Sequence, residues 1–364
     1  MAYIDKFGVE FSDDKKTLVR CPQDFIGEYV IPEEVTLIGD GAFRRCANLT
    51  SITIPNSVTM IGDYAFRDCV GIASMILSNN VANVGDGTFR GCTNLTSIEI
   101  PDSVTSIGAY AFRDCVGLNN ISIPDSVKSI GDSAFENCTS LSSITIPNSV
   151  IRIGSHAFSC CSALTSATIG NSVTKIEWGT FFCCSNLIRI TIPNSITSIG
   201  DVAFRDCTSL ASITLPNSVT MIGDYAFHGC TSLTSVIIPD SLISVERGAF
   251  SCCSSLTSIN AANDNPNYCS VDGVLFNKDQ TILIEYPRGK QGSYTIPDSV
   301  TRIESSAFWG CSGLTRIIIP DSVISIGDYA FRSCTSLKSI IVPDSVTSIG
   351  KEVFKDCAYL EKSK

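Results

Sequence analysis

The sequence predicts an α/β repeat solenoid, in which a parallel β-sheet lines one side of the coil and short helical turns line another. Three features support this prediction: a period of 23 residues, a strand-like alternation of side chains in each repeat, and a Gly-Asp-x-Ala-Phe-x-x-Cys segment. The segments 60–72 (MIGDYAFRDCVGI) and 221–233 (MIGDYAFHGCTSL) show how closely the copies agree. A fixed period of this length is typical of repeats that stack on one another.

Each repeat opens on a proline, which is replaced in two repeats by Ser78 and Gly170 without any loss of phase. Phenylalanine stands eleven places and cysteine fourteen places after this position in all thirteen repeats. Thirteen of the 18 cysteines therefore occupy one position of the repeat, which favours a small buried thiol over a set of reactive sites. The openings are Pro32, Pro55, Ser78, Pro101, Pro124, Pro147, Gly170, Pro193, Pro216, Pro239, Pro297, Pro320 and Pro343.

The first element of the repeat is a short strand with the pattern Leu-x-Ser-Ile-x-Ile. Its apolar side chains alternate with serine and threonine, so that one face is predicted to be buried and the other exposed. The proline that follows has no N–H group to donate to a neighbouring strand, and it therefore ends the strand.

The second element, Gly-Asp-x-Ala-Phe-x-x-Cys, is predicted to form a short helical turn. Its aspartate would cap free N–H groups, and its phenylalanine and cysteine, three residues apart, would share one buried face. A single repeat buries too little apolar surface to offset the entropy lost in ordering its 23 residues. The repeats must therefore stack and share hydrogen bonds.

The repeat pattern L-x-x-I-x-I-P-x-S-V-x-x-I-G-x-x-A-F-x-x-C resembles the leucine-rich repeat of the BspA-like surface proteins, over nearly the whole chain. This resemblance implies a right-handed leucine-rich-repeat coil whose parallel sheet is concave. It also implies a non-enzymatic binding protein that is secreted or exposed at a cell surface. Some members of the family are linked to adhesion to matrix proteins such as fibronectin and fibrinogen. Proteins of that kind, or glycans, are therefore the expected partners.

Two segments interrupt the repeat pattern and resemble each other. The segment 3–35 aligns with the segment 268–300 at a constant offset of 265, so that Gly8 matches Gly273. In the second copy, two apolar runs flank a polar turn, which is typical of a β-hairpin. The sequence therefore predicts four parts: an N-terminal β-hairpin cap at 1–29, a first array of ten repeats at 30–261, an inserted β-hairpin module at 262–296 and a second array of three repeats at 297–364.

The formal net charge of −10 argues against binding to nucleic acid or docking on anionic lipid, because such partners favour a basic surface. The first twenty residues contain no apolar signal-peptide core, and no apolar run reaches the ~20 residues of a membrane span. A cytoplasmic location is therefore an alternative to the cell surface. With two histidines and no catalytic or phosphate-binding motif, the sequence predicts neither an enzyme nor a cofactor.

Two cysteines outside the repeat position, Cys160 and Cys183, occupy equivalent places in adjacent repeats. Equivalent positions one coil apart lie near the Cα separation that a disulfide requires, so a Cys160–Cys183 bridge is one hypothesis. The alternatives are a reducing setting, in which both remain thiols, and a zinc site that includes Cys161 and Cys184.

The exposed positions of the strands form two columns, one mostly serine and one mostly threonine, which would pair between neighbouring strands. Residues that depart from these columns are the candidates for partner binding: Glu99, Asn120, Arg189, Arg316, Ile318, Lys338 and Ile341. The last four lie in adjacent repeats and form a small basic and apolar patch. The sequence thus predicts recognition or adhesion through the concave strands, with a structural surface component that associates with itself as the alternative.

Overall fold

The computed structural model describes residues 3–357, and within them the chain is a β-solenoid of short strands without any helix. The chain divides into two compact units, Met1–Ser195 and Ile196–Lys364. Most coils contribute a longer strand from the Leu-x-Ser-Ile-x-Ile pattern and a two-residue strand that begins five places after the proline position. The predicted solenoid of parallel strands is confirmed.

The first unit opens on an antiparallel meander of β1 (Tyr3–Ile4), β2 (Glu10–Phe11) and β3 (Thr17–Arg20). Parallel ladders follow, in which each residue pairs with its equivalent in the next coil. The two-residue strands are β5 (Leu37–Ile38), β7 (Met60–Ile61), β9 (Asn83–Val84), β11 (Ser106–Ile107), β12 (Ser129–Ile130), β14 (Arg152–Ile153) and β16 (Lys175–Ile176). The longer strands are β4 (Gly27–Val30), β6 (Leu49–Thr53), β8 (Ser74–Ile76), β10 (Ser97–Glu99), β13 (Ser143–Thr145), β15 (Ser166–Thr168) and β17 (Arg189–Thr191).

The second unit contains the same two kinds of strand. The two-residue strands are β18 (Ser198–Ile199), β19 (Met221–Ile222), β21 (Ser244–Val245), β27 (Arg302–Ile303), β29 (Ser325–Ile326) and β30 (Ser348–Ile349). The longer strands are β20 (Ser235–Ile238), β22 (Ser258–Ala261), β26 (Gly292–Thr295) and β28 (Leu314–Ile318). A second antiparallel meander consists of β23 (Tyr268–Val271), β24 (Val274–Asn277) and β25 (Ile282–Glu285), and β25 pairs in parallel with β27.

The two meanders share details of geometry as well as sequence. The register of β2 against β3 shifts between Glu10 and Phe11, and that of β24 against β25 shifts between Leu275 and Phe276. These two positions are 265 residues apart, the offset at which the two segments align in the sequence. Such bulges are local features that a sequence specifies, so the two segments are copies of one structural module.

The core of each unit contains a stack of aromatic rings. In the first unit, neighbouring phenylalanines such as Phe43 and Phe66 have nearly parallel rings, with centroids 5.1 Å apart. The stack continues through Phe89, Phe112, Phe135, Phe158 and Phe181. In the second unit, Phe204, Phe227 and Phe250 form one stack, and Tyr286, Phe308, Phe331 and Phe354 form another. All but the last are fully or nearly fully buried.

The repeat cysteines lie beside these stacks as buried thiols. The Sγ–H group of Cys115 donates to the Phe89 carbonyl of the preceding coil at 3.0 Å, and the same contact recurs in most coils. Burial raises the pKa of the Cys161 thiol to about 12, so this side chain stays protonated at neutral pH. A protonated thiol is a poor nucleophile, and the recurring contact gives the cysteine position a structural role.

The predicted short helical turn is not confirmed, because the Gly-Asp-x-Ala-Phe-x-x-Cys segment forms successive β-turns instead. Two residues of each segment, such as Tyr64 and Asp68, have positive φ angles of 56° and 60°, which an α-helix excludes. These angles turn alternate amides outward, so that the Tyr64 and Phe66 N–H groups donate to carbonyls of the next coil. The intervening amides make bonds to the third residue before them, as Arg67 does to Tyr64.

Candidate functional site

The exposed side chains of the longer strands form a polar surface, here called the strand face. In the first unit, Ser143 lies opposite Ser166, and Thr145, Thr168 and Thr191 form a ladder across β13, β15 and β17. These hydroxyl side chains point to solvent because the alternate positions of the same strands carry the buried apolar residues. The serine and threonine columns predicted from the sequence therefore lie side by side on one surface.

A groove of about 720 Å³ lies along this surface in the first unit. Thr145, Thr168 and Thr191 line one side of it, and Asn148 and Asn171 lie at the ends of the strands. Gly170 stands where most repeats have proline, and a Cβ atom built on it would collide with the Pro147 carbonyl. The groove combines hydroxyl and amide groups and the Asp125 carboxylate with an apolar floor that includes Ile146 and Ile169, a mixture that suits a polar ligand with apolar faces.

Three of the candidate residues for partner binding lie in the first unit. Asn120 lines the groove. Glu99 is exposed at the end of β10, and Arg189 is exposed on β17 opposite Ser166. The groove lining includes neither Glu99 nor Arg189, so the structure does not bring the three residues into one site.

The other four candidates lie in the second unit, in two successive coils. Arg316 and Ile318 are exposed on β28, where they lie opposite Ser293 and Thr295 of β26. Lys338 and Ile341 are exposed in the next coil, and the Lys338 N–H group donates to the Thr315 carbonyl at 3.5 Å. The exposed fractions of Ile318 and Ile341, 44% and 70%, are large for isoleucine, and they mark an apolar patch beside two cations.

The cysteines singled out in the sequence are half-buried. Cys160 and Cys183 both have positive φ angles, and no disulfide bond joins them in the structure. The bridge between them stays a prediction for an oxidising setting. Among residues 3–357, no group of three or more His, Cys, Asp or Glu side chains is arranged to hold a metal ion, and this includes the four cysteines considered as a zinc site.

The turn segments carry aromatic residues that the sequence reasoning missed. In the first unit, the His156 ring packs edge-on against Trp178 with centroids 4.1 Å apart, and Trp178 is 50% exposed. The signal was present in the sequence, because both tryptophans and both histidines of the chain stand at turn positions where other repeats have different residues. The candidates for partner binding were predicted from strand positions alone, so these turn positions were not among them.

A larger group in the second unit, here called the aromatic cluster, consists of Tyr225, His228, Trp309 and Tyr329. The Trp309 ring lies 5.7 Å from His228 and 6.1 Å from both Tyr225 and Tyr329, centroid to centroid. The Arg332 guanidinium lies over Trp309, 5.4 Å from its centroid. Burial lowers the pKa of His228 to about 4, so the ring is neutral at pH 7 and its Nδ1 pairs with Ser251 Oγ at 2.7 Å.

Comparison with known families identifies these coils. The model of the BspA type leucine rich repeat region matches residues 23–121, 105–211, 197–271 and 286–364. The chain belongs to the BspA-type leucine-rich-repeat family. The resemblance seen in the repeat pattern is thereby confirmed.

Two of the solved structures that are similar to this BspA-type protein come from bacteria. A leucine-rich repeat protein from Bacteroides ovatus is 29% identical, with a TM-score of 0.75 over 98% of this chain and 90% of that chain. A leucine rich cell surface protein from Faecalibacterium prausnitzii is 27% identical, with a TM-score of 0.53 over 98% of this chain and 86% of that chain. A search of curated proteins finds no match.

The BspA-type fold sets the general class of function. Leucine-rich repeats are general scaffolds for protein interaction, and proteins of this family and fold are generally non-enzymatic. Within residues 3–357, no helix is long and apolar enough to cross a membrane. Surfaces such as the strand face and the aromatic cluster are therefore the candidates for binding a partner.

Proposed function

We propose that the protein is a non-catalytic recognition module that binds a protein or a glycan through its strand face, as an adhesin at a cell surface would. The observation that supports this most directly is the groove of the first unit, where hydroxyl and amide groups meet an apolar floor. Matrix proteins such as fibronectin and fibrinogen are the first partners to test, because family members are linked to them. The similar Faecalibacterium structure is that of a cell surface protein, which supports the location.

The test is a binding panel with the purified full-length chain, which includes fibronectin, fibrinogen and neutral glycans, with light scattering of the same samples. We expect saturable binding by a monomer. Thr168→Lys places a long cationic side chain in the groove and should weaken binding at least tenfold. Thr105→Lys is the matched control, because Thr105 is exposed in the same unit but does not line the groove. Equal binding by both variants and the unmodified chain would exclude the groove.

The patch of the second unit requires its own variant. If the partner binds there instead, Arg316→Ala combined with Lys338→Ala should abolish binding while Thr168→Lys leaves it intact. Such residues contribute mostly through the association rate when they lie at the rim of an interface. A loss of affinity without any dependence on salt would contradict this role for the two cations.

A second candidate function is self-association, and the edge strand β4 favours it. Within the described residues, β4 pairs with β6 on one side only, so half of its backbone groups are available to another strand. Ile26 and Val30 beside this edge are 77% and 68% exposed. An unprotected edge with exposed apolar residues is a place where strands of two molecules pair. Orderly growth in size with concentration, without binding to any member of the panel, would support this alternative.

A further inference from the structure

Arg288 is a cation without a carboxylate partner in the second unit. Among residues 3–357 its side chain forms no ion pair and no hydrogen bond, and its Nε atom is buried. Two other arginines of the second unit form ion pairs: Arg247 lies 3.5 Å from Asp224, and Arg332 lies 3.4 Å from Glu352. An unpaired arginine in a chain of net charge −10 requires an explanation, because carboxylates are plentiful.

The Arg288 side chain lines a concavity of about 340 Å³. The other polar side chains around it are the hydroxyls of Ser254, Ser312, Thr315 and Ser336 and the amide of Gln291. No carboxylate belongs to this lining, so within the described part of the chain the charge of Arg288 is left for a group from outside. The space is large enough for a small anionic group and the ring that carries it.

The position of Arg288 is specific to the inserted module. At the offset of 265, the equivalent residue of the N-terminal module is Gln23, so the module does not need a cation here in order to fold. The next coil makes room for the side chain with Gly310, where a Cβ atom would lie 2.7 Å from Arg288 Cζ. Trp309 of the aromatic cluster immediately precedes Gly310 in the chain, although it does not line the concavity itself.

We infer that this concavity binds the carboxylate or sulfate group of an acidic saccharide. The guanidinium donates two parallel hydrogen bonds to such a group, a geometry that arginine provides and lysine does not. The surrounding hydroxyls and the amide offer both donors and acceptors to sugar hydroxyls. This site goes beyond the proposed function of the strand face and does not depend on it.

The experiment titrates the full chain with four probes and follows tryptophan fluorescence. The Trp178→Phe background leaves Trp309 as the reporter. The probes are a heparin tetrasaccharide, which carries sulfate and carboxylate, trigalacturonate, which carries carboxylate alone, neutral maltotriose, and a hexaglutamate peptide. We expect saturable binding of at least one acidic saccharide that weakens as the salt concentration rises. The comparison of the first two probes separates a sulfate ligand from a carboxylate ligand.

Two variants and a control assign the binding to Arg288. Arg288→Gln should weaken binding at least tenfold, because it removes a charge-assisted bidentate contact. Ser336→Asp keeps Arg288 and places a competing carboxylate on the wall of the concavity, so it should weaken binding too, even if the first variant folds poorly. Arg152→Gln in the first unit is the matched control, since that arginine is exposed and distant in sequence.

Several results would overturn the inference. These are the absence of binding by both acidic saccharides at millimolar concentration, equal affinity for maltotriose or hexaglutamate, and unchanged binding by both variants. The failure of the strand-face proposal is separate, because Thr168→Lys tests the groove of the first unit and the matrix-protein panel uses different ligands. Circular dichroism of each variant confirms that the fold is intact.

Discussion

Single residues of the turn segments act between coils rather than within them. The sequence predicts that the aspartate of Gly-Asp-x-Ala-Phe caps a helical turn. In the structure, Asp63 Oδ1 accepts the Asp86 N–H group of the next coil at 2.8 Å, and the Asp63 N–H group donates to Asp40 Oδ1 at 2.9 Å. The residue type was predicted to satisfy backbone donors and does so, but the donors belong to a neighbouring coil.

Two substitutions of Asp63 distinguish the contribution of its acceptor oxygen from the contribution of its charge. Asp63→Ala removes the acceptor, and we expect it to lower the free energy of unfolding by about 1 kcal/mol. Asp63→Asn keeps an acceptor oxygen and removes the repulsion between stacked carboxylates, so it should be neutral or stabilising. Urea denaturation followed by circular dichroism measures both. An equal loss from the two variants would show that the charge, and not the acceptor, matters.

Glu285 is a buried acid in β25, with only 4% of its surface exposed. Burial raises its pKa well above the usual range, and burial also raises the pKa of the nearby Cys311 thiol, which stays protonated at neutral pH. Since the folded pKa is the higher one, the stabilising contribution is complete below the unfolded pKa of about 4.3 and is lost as pH rises through the folded value.

We therefore expect the unmodified chain to lose stability relative to Glu285→Gln as pH rises from 5 to 8. The difference grows by up to about 1.4 kcal/mol per pH unit within the window between the two pKa values. Thermal unfolding at several pH values measures it. Parallel stability curves for the two proteins would contradict a raised pKa.

At the scale of elements, the strands could be predicted and the turns could not. The alternation Ser-Ile-x-Ile within the pattern Leu-x-Ser-Ile-x-Ile favours a strand, because side chains two residues apart point to the same face of a strand but not of a helix. Phenylalanine and cysteine three residues apart fit a helical turn and successive β-turns equally, since both bring the first and fourth residues together. The positive φ angles at Tyr64 and Asp68 decide between them. Tyrosine gives no sign of such an angle, but the glycines that replace these two residues in other repeats, such as Gly87 and Gly91, do.

The turns also hold strain that a substitution can release. Val202 has a φ of 48°, a conformation that is costly for a β-branched residue and free for glycine. Val202→Gly is expected to raise the free energy of unfolding by about 1 kcal/mol. Ile243→Gly is the control, because Ile243 is 65% exposed and has no positive φ, so glycine should destabilise the protein there. Destabilisation by both changes in thermal unfolding would refute the strain at Val202.

For the whole molecule, stability depends on contacts between neighbouring coils. Phe112 stacks on Phe89 and Phe135 at 5.3 and 5.2 Å, whereas half-buried Phe354 stacks, among residues 3–357, on Phe331 alone at 5.8 Å. We expect Phe112→Ala to lower the free energy of unfolding by about 3–5 kcal/mol and Phe354→Ala to lower it by clearly less. Chemical denaturation of both variants measures the difference. Equal losses would argue against a core held together by neighbouring coils.

The candidate sites show where reasoning from the sequence ends. The strand face could be predicted from the alternation of apolar and polar residues along each strand. The residues that depart from its serine and threonine columns are exposed in successive coils: Arg316, Ile318, Lys338 and Ile341. The aromatic cluster could not be predicted in this way, because Trp309 and His228 are 81 residues apart and meet only through the inserted module. Contacts across an interruption of the period depend on three-dimensional packing, which periodicity does not encode.

The two meanders, with their shared bulges, suggest how such proteins change over time. Each copy begins a parallel ladder, since β3 pairs in parallel with β5 and β25 pairs in parallel with β27. Copying the module into the middle of a gene would therefore supply a fresh start for further coils without redesigning the existing ones. After such a duplication, the second copy can acquire residues that the first copy does not have. Arg288 in place of Gln23 is a difference of this kind.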